Sequence, residues 1–299
     1  MSSQKNVDRK RGNRPGFWVF QTATRLTGLR GAYGLLYFVC LYYLLVDSEL
    51  VAESLPYIRR RFPEKGRIGQ LFALYLLFVS QGKTLVDRFA IAAGYDGIRI
   101  DIAGYEATRE LIASSSRGLI ILTAHIGSWQ VAMSALERFD RPVHVMMRPE
   151  DNEAVKGALN LGSDSERVKV ILTSGALGGV IEAMKAIDNG DLVTVMGDRP
   201  YNFPSMKANF LGGEVSFPYG AFTLAAAAQC PVVVFLSAKT GPKSYLVDVS
   251  NVIQPPSGAR VKKNEETGAA VQQYADILEK YVADYPLQWF VFRNIWSGD

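Results

Sequence analysis

From Gly118 onward the chain alternates apolar runs of strand length with segments of helical periodicity, and this alternation most constrains its fold. The apolar runs are GLIILT, VHVMM, VKVILT, DLVTVM and VVVFLSA, and the helical segments are SWQVAMSALERF, NEAVKGALNLG, GVIEAMKAIDNG and YGAFTLAAAAQ. Runs that are apolar throughout are typical of strands buried on both faces. The alternation therefore predicts an α/β domain in which a mostly parallel sheet is flanked by helices. A polar loop, QPPSGARVKKNEETG, then leads to a predicted final helix from about Ala269 to Ala283.

The composition is that of a folded chain. Of its 299 residues 48% are hydrophobic and 21% are charged, so the chain is too apolar to be disordered and long enough for one large domain or two small ones. The two cysteines, Cys40 and Cys230, provide neither a disulfide framework nor the paired spacing of metal ligands. We expect both to be small buried hydrophobic residues in a reducing compartment.

The basic residues are concentrated near the N-terminus, although the net charge is only +4. The two clusters are Lys5, Arg9, Lys10, Arg11 and Arg14, and then Arg59, Arg60, Arg61, Lys65 and Arg67. Aromatic residues are not interleaved with them as in many proteins that bind single-stranded nucleic acid, so no nucleic-acid partner is expected. A membrane surface or an acidic protein fits these clusters better, and a solvated charged face is the alternative.

An uncharged stretch of sixteen residues, GAYGLLYFVCLYYLLV at 31–46, follows the first basic cluster. It is shorter than the ~20 residues of a comfortable membrane span, and no small-residue cleavage site follows it. We interpret residues 1–60 as a basic tail with an uncleaved anchor that either crosses the membrane or lies in its interface; a core helix is the alternative. A second, amphipathic helix is predicted in IGQLFALYLLFVSQGKTLVDRFAIAAG. The hinge IRRRFPEKGR leads into a domain at 61–299.

Polar residues follow the predicted strands at the points where ligands gather in open α/β sheets. These residues are His125, then Arg148-Pro149, then Ser174-Gly175, then Gly197-Asp198-Arg199-Pro200. A base candidate, two guanidinium groups and a carboxylate are thus expected at one edge of the sheet. No G-x-S-x-G nucleophile motif is present.

His125 is one of only two histidines in the chain. Ser128 is a good helix cap, which places His125 just before a helix N-terminus whose positive end keeps the imidazole neutral and available as a base. Residues five apart on a continuous helix point about 140° apart, so His125 and Gln130 meet only if the chain bends between them. Gly127 allows that bend. A hydrogen-bonded structural histidine is the alternative.

These residues resemble the bacterial lipid A biosynthesis (late) acyltransferases, a family within the lysophospholipid acyltransferase superfamily. The family motif His-x-Gly-x-Trp-Glu stands here as His125-Ile-Gly-Ser-Trp-Gln130. Four further pieces occur in the order of the family: VMMRPEDN, ALGGVIEAMKAIDNGDLVTVMGDRP, FLGGEVSFPYGAFTLAAAAQCPVVVF and YPLQWFVF. The resemblance runs from the N-terminal anchor to the terminal PLQWF.

The resemblance implies transfer of a fatty acyl chain from a thioester, on acyl carrier protein or coenzyme A, to a hydroxyl or amine of a lipid. The reaction would take place at the cytoplasmic face of the bacterial inner membrane, with no cofactor and no metal. His125 would be the general base. Arg148 or Arg199 would hold a phosphate or stabilise negative charge, and Asp198 would orient a neighbour or the acceptor. Ser128 and Trp129, inside the motif, would contact substrate.

Gln130 departs from the family, because it stands where the motif has an acid. An amide orients an imidazole but supplies no charge to stabilise the imidazolium. Three explanations remain open: an introduced substitution, a natural branch that takes its acid from elsewhere such as Asp198, or a non-catalytic lipid-binding member of the fold. An acidic carrier protein would suit the Arg59 to Arg67 cluster, and anionic headgroups would suit the first one.

Overall fold

The structure is a computed structural model. It describes residues 14–92, 94–95, 97–149, 167–174, 178–201, 203–256 and 260–296, with the backbone alone at 14–21, 23–25, 92, 130 and 260–263. The predicted helix NEAVKGALNLG and the first four residues of the N-terminal basic cluster lie outside the described residues.

The described elements include every strand that the apolar pattern predicts, together with further strands. The helices are α1 (Arg14–Val46), α2 (Ser48–Arg61), α3 (Arg67–Ala92), α4 (Tyr105–Ser114), α5 (Trp129–Leu136), α6 (Val180–Asp188), α7 (Gly220–Ala228) and α8 (Arg260–Asp284). The strands are β1 (Arg99–Ala103), β2 (Leu119–Thr123), β3 (Val143–Met147), β4 (Val168–Leu172), β5 (Leu192–Met196), β6 (Ser205–Phe210), β7 (Gly213–Pro218), β8 (Val232–Gly241) and β9 (Ser244–Ile253).

A seven-stranded sheet in the order β1-β9-β8-β2-β5-β3-β4 forms the centre of the fold. Every neighbouring pair is parallel except the β8–β9 hairpin, which is antiparallel. The prediction of a mostly parallel sheet flanked by helices is therefore confirmed. The strands β1, β6, β7 and β9 were not anticipated, because they are partly exposed and carry polar residues among the apolar ones.

The core lies on both faces of β2, whose five residues are all buried. Ile120 and Leu122 pack on the side of α6, α7 and α8, whereas Leu119 and Ile121 pack on the side of α4 and α5. This two-sided burial explains the uninterrupted apolar run. Cys40 and Cys230 are free and buried, as predicted.

The final helix begins earlier than its predicted start near Ala269. Helix α8 begins at Arg260, so the second half of the segment interpreted as a polar loop is helical. That interpretation was wrong because the first turns of α8 are polar, with Asn264 and Glu265 exposed to solvent. Exposed charged residues are compatible with a helix whose later turns are anchored in the core.

The N-terminal helices pack partly on the sheet domain and partly expose apolar residues. Helix α1 is broken at Gly28, where φ is 66° and ψ is −172°. Among the described residues, the segment Leu26–Val46 is long and apolar enough to cross a membrane, with mean hydropathy 1.5 and 22% of its window buried. On α3, Leu74 and Leu77 are buried in the core, while Ile68 is 86% exposed. Helix α2 ends at Arg61, next to the predicted boundary between residues 60 and 61.

A fully buried aspartate, Asp87 of α3, ties these helices to the sheet. Its carboxylate accepts hydrogen bonds from the Tyr33 hydroxyl of α1, from Lys239 Nζ of β8 at 2.5 Å and from the Tyr245 hydroxyl of β9 at 2.5 Å. The contacts supply one cation and two hydroxyl donors, which compensate the cost of burying a carboxylate. Asp87 thus joins α1, α3 and the β8–β9 hairpin.

Candidate active site

The sheet brings the predicted polar residues to one edge. Strands β2 and β5 are parallel neighbours, with Thr123 paired to Met196, so their carboxyl ends lie side by side. His125 and Asp198 each come two residues after the end of their strand. Arg148 follows β3, the next strand in the sheet. The convergence expected from the sequence is therefore present.

His125 and Asp198 form a pair joined by two contacts. His125 Nδ1 lies 2.7 Å from Asp198 Oδ1, and the backbone N–H of His125 donates to Oδ2 at 2.9 Å. Asp198 is fully buried, whereas the His125 side chain is 22% exposed. The Trp289 indole N–H donates to the same Oδ2 at 2.9 Å. A buried carboxylate thus fixes one ring nitrogen of an imidazole that is open to solvent.

The Asp198 carboxyl group stays ionised in this setting. Burial, the strongest influence on it, acts to raise its pKa, but the charge and hydrogen bonds of His125 and the charge of Arg199 outweigh burial and lower the pKa to about 2. The neighbouring Tyr274 phenol has its pKa raised by burial and by the negative charge of Asp198. Near neutral pH the pair therefore holds a carboxylate that can stabilise an imidazolium.

The loop that carries His125 is bent and held tightly. Gly127 has φ 59°, and a Cβ at this position would lie 2.1 Å from the carbonyl oxygen of Ser237, so no larger residue fits. Ser128 caps α5, with its hydroxyl accepting the Val131 N–H at 3.4 Å, and its own N–H donates to Ser237 Oγ at 3.1 Å. The bend at Gly127 and the cap at Ser128 are as predicted.

The two remaining motif positions lie in the first turn of α5. Gln130 belongs to the helix by its backbone, but its side chain lies outside the described part of the structure. Trp129 is partly buried and packs against the core cluster on the α4 and α5 side of the sheet. The buried Ser128 hydroxyl serves as a helix cap. The acid seen to contact the imidazole is Asp198.

Three guanidinium groups surround Tyr201, three residues after Asp198. Arg199 Nη1 lies 3.2 Å from the Tyr201 hydroxyl, the Arg148 guanidinium carbon is 3.9 Å from the ring centroid, and that of Arg293 is 5.5 Å away. Arg199 Nη2 also donates to the Phe290 carbonyl at 2.6 Å. Arg199 Nε is buried without a hydrogen-bond partner among the described residues. The cluster is suited to an anionic group.

The sequence reasoning did not select Trp289, Tyr201 and Arg293 as site residues. Tyr201 stands two residues after Arg199, and the other two belong to YPLQWFVFR at the end of the chain. For the two C-terminal residues the available signals were the concentration of aromatic residues in this segment and the presence of YPLQWFVF among the pieces of the family resemblance. Its position beside His125 depends on a contact between residues more than 160 positions apart in sequence.

Two clefts lie beside α2, away from the His125 pair. The first has a volume of about 540 Å³ and is lined by Pro56, Arg59, Arg60, Pro63 and Leu211. The second, of about 470 Å³, is lined by Leu55, Arg59, Arg67, Gln70 and Leu71. Arg59 is common to both, so part of the second basic cluster lines concave surface.

Comparison with known proteins identifies the family of the chain. Among solved structures, the 1-acyl-sn-glycerophosphate acyltransferase PlsC from Thermotoga maritima is 12% identical and is similar over 82% of this chain and 94% of its own, with a TM-score of 0.36. That similarity is too low to support an argument about function. No curated protein matches the chain. A family model described as bacterial lipid A biosynthesis acyltransferase matches residues 97–297, about two thirds of the sequence. The chain therefore belongs to the bacterial lipid A biosynthesis acyltransferase family.

Proposed function

We propose that the protein transfers a fatty acyl chain from a thioester to a hydroxyl or amine of a lipid or glycolipid acceptor. The observation that carries this proposal is the 2.7 Å contact between His125 Nδ1 and the buried Asp198 carboxylate. It places a solvent-open imidazole, oriented by an acid, at the ligand-binding edge of the sheet. Membership of an acyltransferase family supplies the reaction class.

His125 acts as the general base of the proposed reaction. Nε2, the ring nitrogen not paired with Asp198, takes the proton from the acceptor as its oxygen or nitrogen attacks the thioester carbonyl. The tetrahedral intermediate then collapses, the carbon–sulfur bond breaks, and the imidazolium returns the proton to the departing thiolate. Asp198 stabilises the imidazolium between these two steps. The chemistry uses the acyl thioester as co-substrate and calls for no cofactor.

Asp198 takes the part that the motif acid has in the family. A carboxylate already contacts the imidazole of His125, so glutamine at position 130 leaves the base with a charged partner. This geometry supports the explanation that the chain takes its acid from elsewhere. It also weighs against a non-catalytic lipid-binding protein. Burying the Asp198 carboxylate beside a partly exposed histidine costs stability, and such pairs are concentrated at catalytic sites.

The guanidinium cluster binds negative charge on a substrate. Arg148 and Arg199, which the sequence selected, meet at the Tyr201 ring together with Arg293. Guanidinium groups suit phosphate oxygens because they donate in a planar fork. We assign the cluster to a phosphate of the lipid acceptor or of the acyl donor, and Ser128 and Trp129 to the wall of the same site.

Residues 1–60 associate the protein with a membrane, and residues 61–299 form the acyltransferase domain. Apolar side chains on α1 and the first turns of α3 are exposed to solvent, among them Phe38 at 75%, Leu45 at 75% and Phe72 at 59%. A monomeric soluble protein rarely exposes so many neighbouring apolar groups. The first basic cluster, which precedes the apolar stretch in sequence, suits anionic headgroups.

The two basic clusters support a cellular location and an acyl donor, respectively. Basic residues N-terminal to the apolar helix favour the cytoplasmic side, which corresponds to the inner face of a bacterial inner membrane. The clefts that share Arg59 suit an acidic partner, so acyl carrier protein fits this surface and coenzyme A is the alternative donor.

Acyl transfer from radiolabelled acyl carrier protein, and separately from acyl-coenzyme A, into a total bacterial lipid extract tests the function. We expect a labelled lipid product with the unaltered protein and loss of that product with His125→Ala. The second histidine provides the matched control, because His144 pairs with Asp191 away from the site and His144→Ala should retain activity. If no lipid becomes labelled with either donor, the lipid-binding alternative replaces this proposal.

Flotation with vesicles tests the membrane surface separately. We expect binding to vesicles that contain anionic phospholipid, weaker binding to zwitterionic vesicles, and loss of binding when Phe38 and Leu45 are both changed to Asn. Leu172→Asn, at an exposed apolar residue of the sheet domain, is the control and should bind normally. Equal binding by both variants would place the membrane contact elsewhere.

A further inference from the structure

The C-terminal segment Gln288 to Phe290 pairs with the backbone of the His125 loop. Gly127 N–H donates to the Gln288 carbonyl at 2.8 Å, and Phe290 N–H donates to the His125 carbonyl at 2.7 Å. Ile126 and Trp289 form an antiparallel bridge between these two bonds. The Gln288 side chain bonds both the N–H and the carbonyl of Lys239, at 2.7 and 2.9 Å, which ties the segment to β8.

Within this segment Trp289 directs its only polar atom at the Asp198 carboxylate. Its side chain is fully buried, and its Nε1–H donates to Asp198 Oδ2 at 2.9 Å. The same oxygen accepts the His125 N–H, while Oδ1 faces the imidazole. The indole N–H therefore shares Oδ2 with the His125 backbone N–H, and Oδ1 is left for the His125 imidazole.

The indole ring cannot turn away from Asp198, because aromatic neighbours enclose it. Tyr57 of α2, Phe210 of β6 and Trp296 lie with ring centroids 5.0, 5.1 and 6.3 Å from it, all at steep angles. Such edge-to-face contacts fix the orientation of a ring. A phenylalanine would fill much of this space, so packing alone does not account for an N–H donor at this point.

We infer that Trp289 is a positioning residue for the proposed reaction: its N–H orients the Asp198 carboxylate and reduces the negative charge that this carboxylate presents to the His125 imidazole. The indole N–H bond also places a positive dipole end next to the carboxylate. Removing the indole N–H leaves more negative charge beside the imidazole, and this charge favours the imidazolium. His125 therefore loses its proton only at higher pH. The other charged or titratable groups that act on Asp198 among the described residues are Arg199 and the Tyr274 phenol. Replacing Trp289 alters neither of these two side chains.

The chain contains a matched control for the test. Trp296 belongs to the same aromatic cluster, is 5% exposed, and donates its indole N–H to the Phe210 carbonyl at 3.1 Å. Trp289→Phe and Trp296→Phe therefore remove the same atoms and one hydrogen bond each from one cluster. They differ in the acceptor, which is the Asp198 carboxylate in one case and a backbone carbonyl in the other.

The first measurement is the titration of the two histidines by NMR of their imidazole C–H groups. His144, paired with Asp191 at 2.8 Å, is an internal reference that both variants should leave unmoved. We expect Trp289→Phe to move the His125 midpoint upward by about one pH unit, the scale of one hydrogen bond to a charged group, and Trp296→Phe to leave it in place. This measurement needs no substrate.

The second measurement is the pH profile of acyl transfer, and here the inference rests on the proposed function. We expect Trp289→Phe to lower kcat by roughly tenfold and to move the acidic limb upward with the His125 midpoint, with KM nearly unchanged. Absence of transfer by the unaltered protein would contradict the proposed function, while the NMR titration would still decide the role of Trp289.

A variant that keeps the ring shape covers the case in which Trp289→Phe fails to fold. Benzothienylalanine placed at 289 by codon reassignment retains the bicyclic ring and replaces the N–H group with sulfur. We expect the same upward shift of the His125 midpoint with near-normal stability. If this variant titrates like the unaltered protein, or if both Trp→Phe variants act alike, Trp289 is a packing residue and the inference is wrong.

Discussion

Two aspartates of the described part of the chain, Asp87 and Asp198, are completely buried, and their surroundings differ in one respect. Asp87 is enclosed by Lys239, Tyr33 and Tyr245, and the lysine side chain itself is only 10% exposed. Asp198 is paired with His125, whose side chain is 22% exposed. Both carboxylates are hydrogen-bonded, but of these two only Asp198 is connected to a partly exposed imidazole, the side-chain type that is used most often as a general base.

Burial and pairing alone therefore do not identify an aspartate as a catalytic acid. The Asp87 cluster joins α1, α3 and the β8–β9 hairpin, and burial lowers the pKa of its cation, Lys239, although the charge of Asp87 acts to raise that pKa. The Asp198 pair ends in an imidazole at the carboxyl edge of the sheet. We therefore expect loss of Asp198 to remove activity and loss of Asp87 to remove stability.

The largest expected effect is that of Asp198→Asn on turnover. The amide retains the shape but removes the charge that stabilises the imidazolium, and in the serine protease triad the corresponding change lowers kcat by about 10⁴-fold. We expect a loss of that order in the acyl-transfer assay, with a circular dichroism spectrum like that of the unaltered protein. Activity within tenfold of normal would show that Asp198 is structural, as Asp87 is.

Asp87→Asn should have the converse effect. Removing the carboxylate leaves Lys239 buried without a counter-charge, and breaking a buried pair in this way costs about 3–5 kcal/mol of unfolding free energy. We expect urea denaturation to show that loss, while kcat per folded molecule stays within a few-fold of normal. The control is Asp101→Asn, because Asp101 pairs with Arg99 on the surface and should change stability by less than about 1 kcal/mol.

The stabilisation from the Asp198 pair and that from the Asp87 cluster should be lost at opposite ends of the pH scale. The pKa of Asp198 is lowered to about 2 from its ordinary value of 3.8, so its stabilisation is complete above pH 4 and is lost as the pH falls toward 2. Burial and the charge of Asp87 raise the pKa of the Tyr245 phenol above its ordinary value of 10.0, so the stabilisation from this phenol is lost as the pH rises above 10.

Unfolding curves measured across the pH range separate these contributions. We expect Asp198→Asn to reduce the acid-side loss and Tyr245→Phe to reduce the alkaline-side loss, with each variant leaving the opposite end of the profile as it is. A single variant that flattened both ends would show that the two sites act as one unit.

The smallest expected effect is that of Gln130→Glu. Asp198 already supplies a carboxylate to His125, so a second acid at position 130 should change kcat by less than about tenfold. An increase of several orders of magnitude would contradict the assignment of Asp198 as the acid and would indicate that the motif acid had been removed. Gln130→Ala is the control, since it tests whether the amide contributes to orientation.

The sequence predicted more of the sheet than of the site. The runs that became β2, β3, β4, β5 and β8 are mostly apolar, and mostly apolar runs of strand length can be recognised in a single sequence. Burial is complete in β2, whereas the edge strand β4 is partly exposed. His125, Arg148, Asp198 and Arg199 were selected because they follow such runs. Strand β9 and the β6–β7 hairpin were missed because one face of each meets solvent and polar residues interrupt the pattern.

Two residues that complete the site, Trp289 and Arg293, lie in the C-terminal segment, far from the motif in sequence. Asp87, which joins the N-terminal helices to the sheet, lies in the predicted amphipathic helix. Each side chain acquires its meaning from a partner 90 to 160 positions away, such as Asp198 for Trp289 and Lys239 for Asp87. Local periodicity carries no information about such contacts.

By itself, the sequence determined the α/β class, the edge of the sheet that carries the polar residues, and the presence of an apolar N-terminal helix. These features follow from local apolar patterns, which act over a few residues. Only the tertiary structure shows that Asp198 contacts His125, that three arginines meet at Tyr201, and that the Trp289 indole donates to Asp198. Those contacts depend on which strands become neighbours in the sheet, and strand order results from the packing of the whole chain.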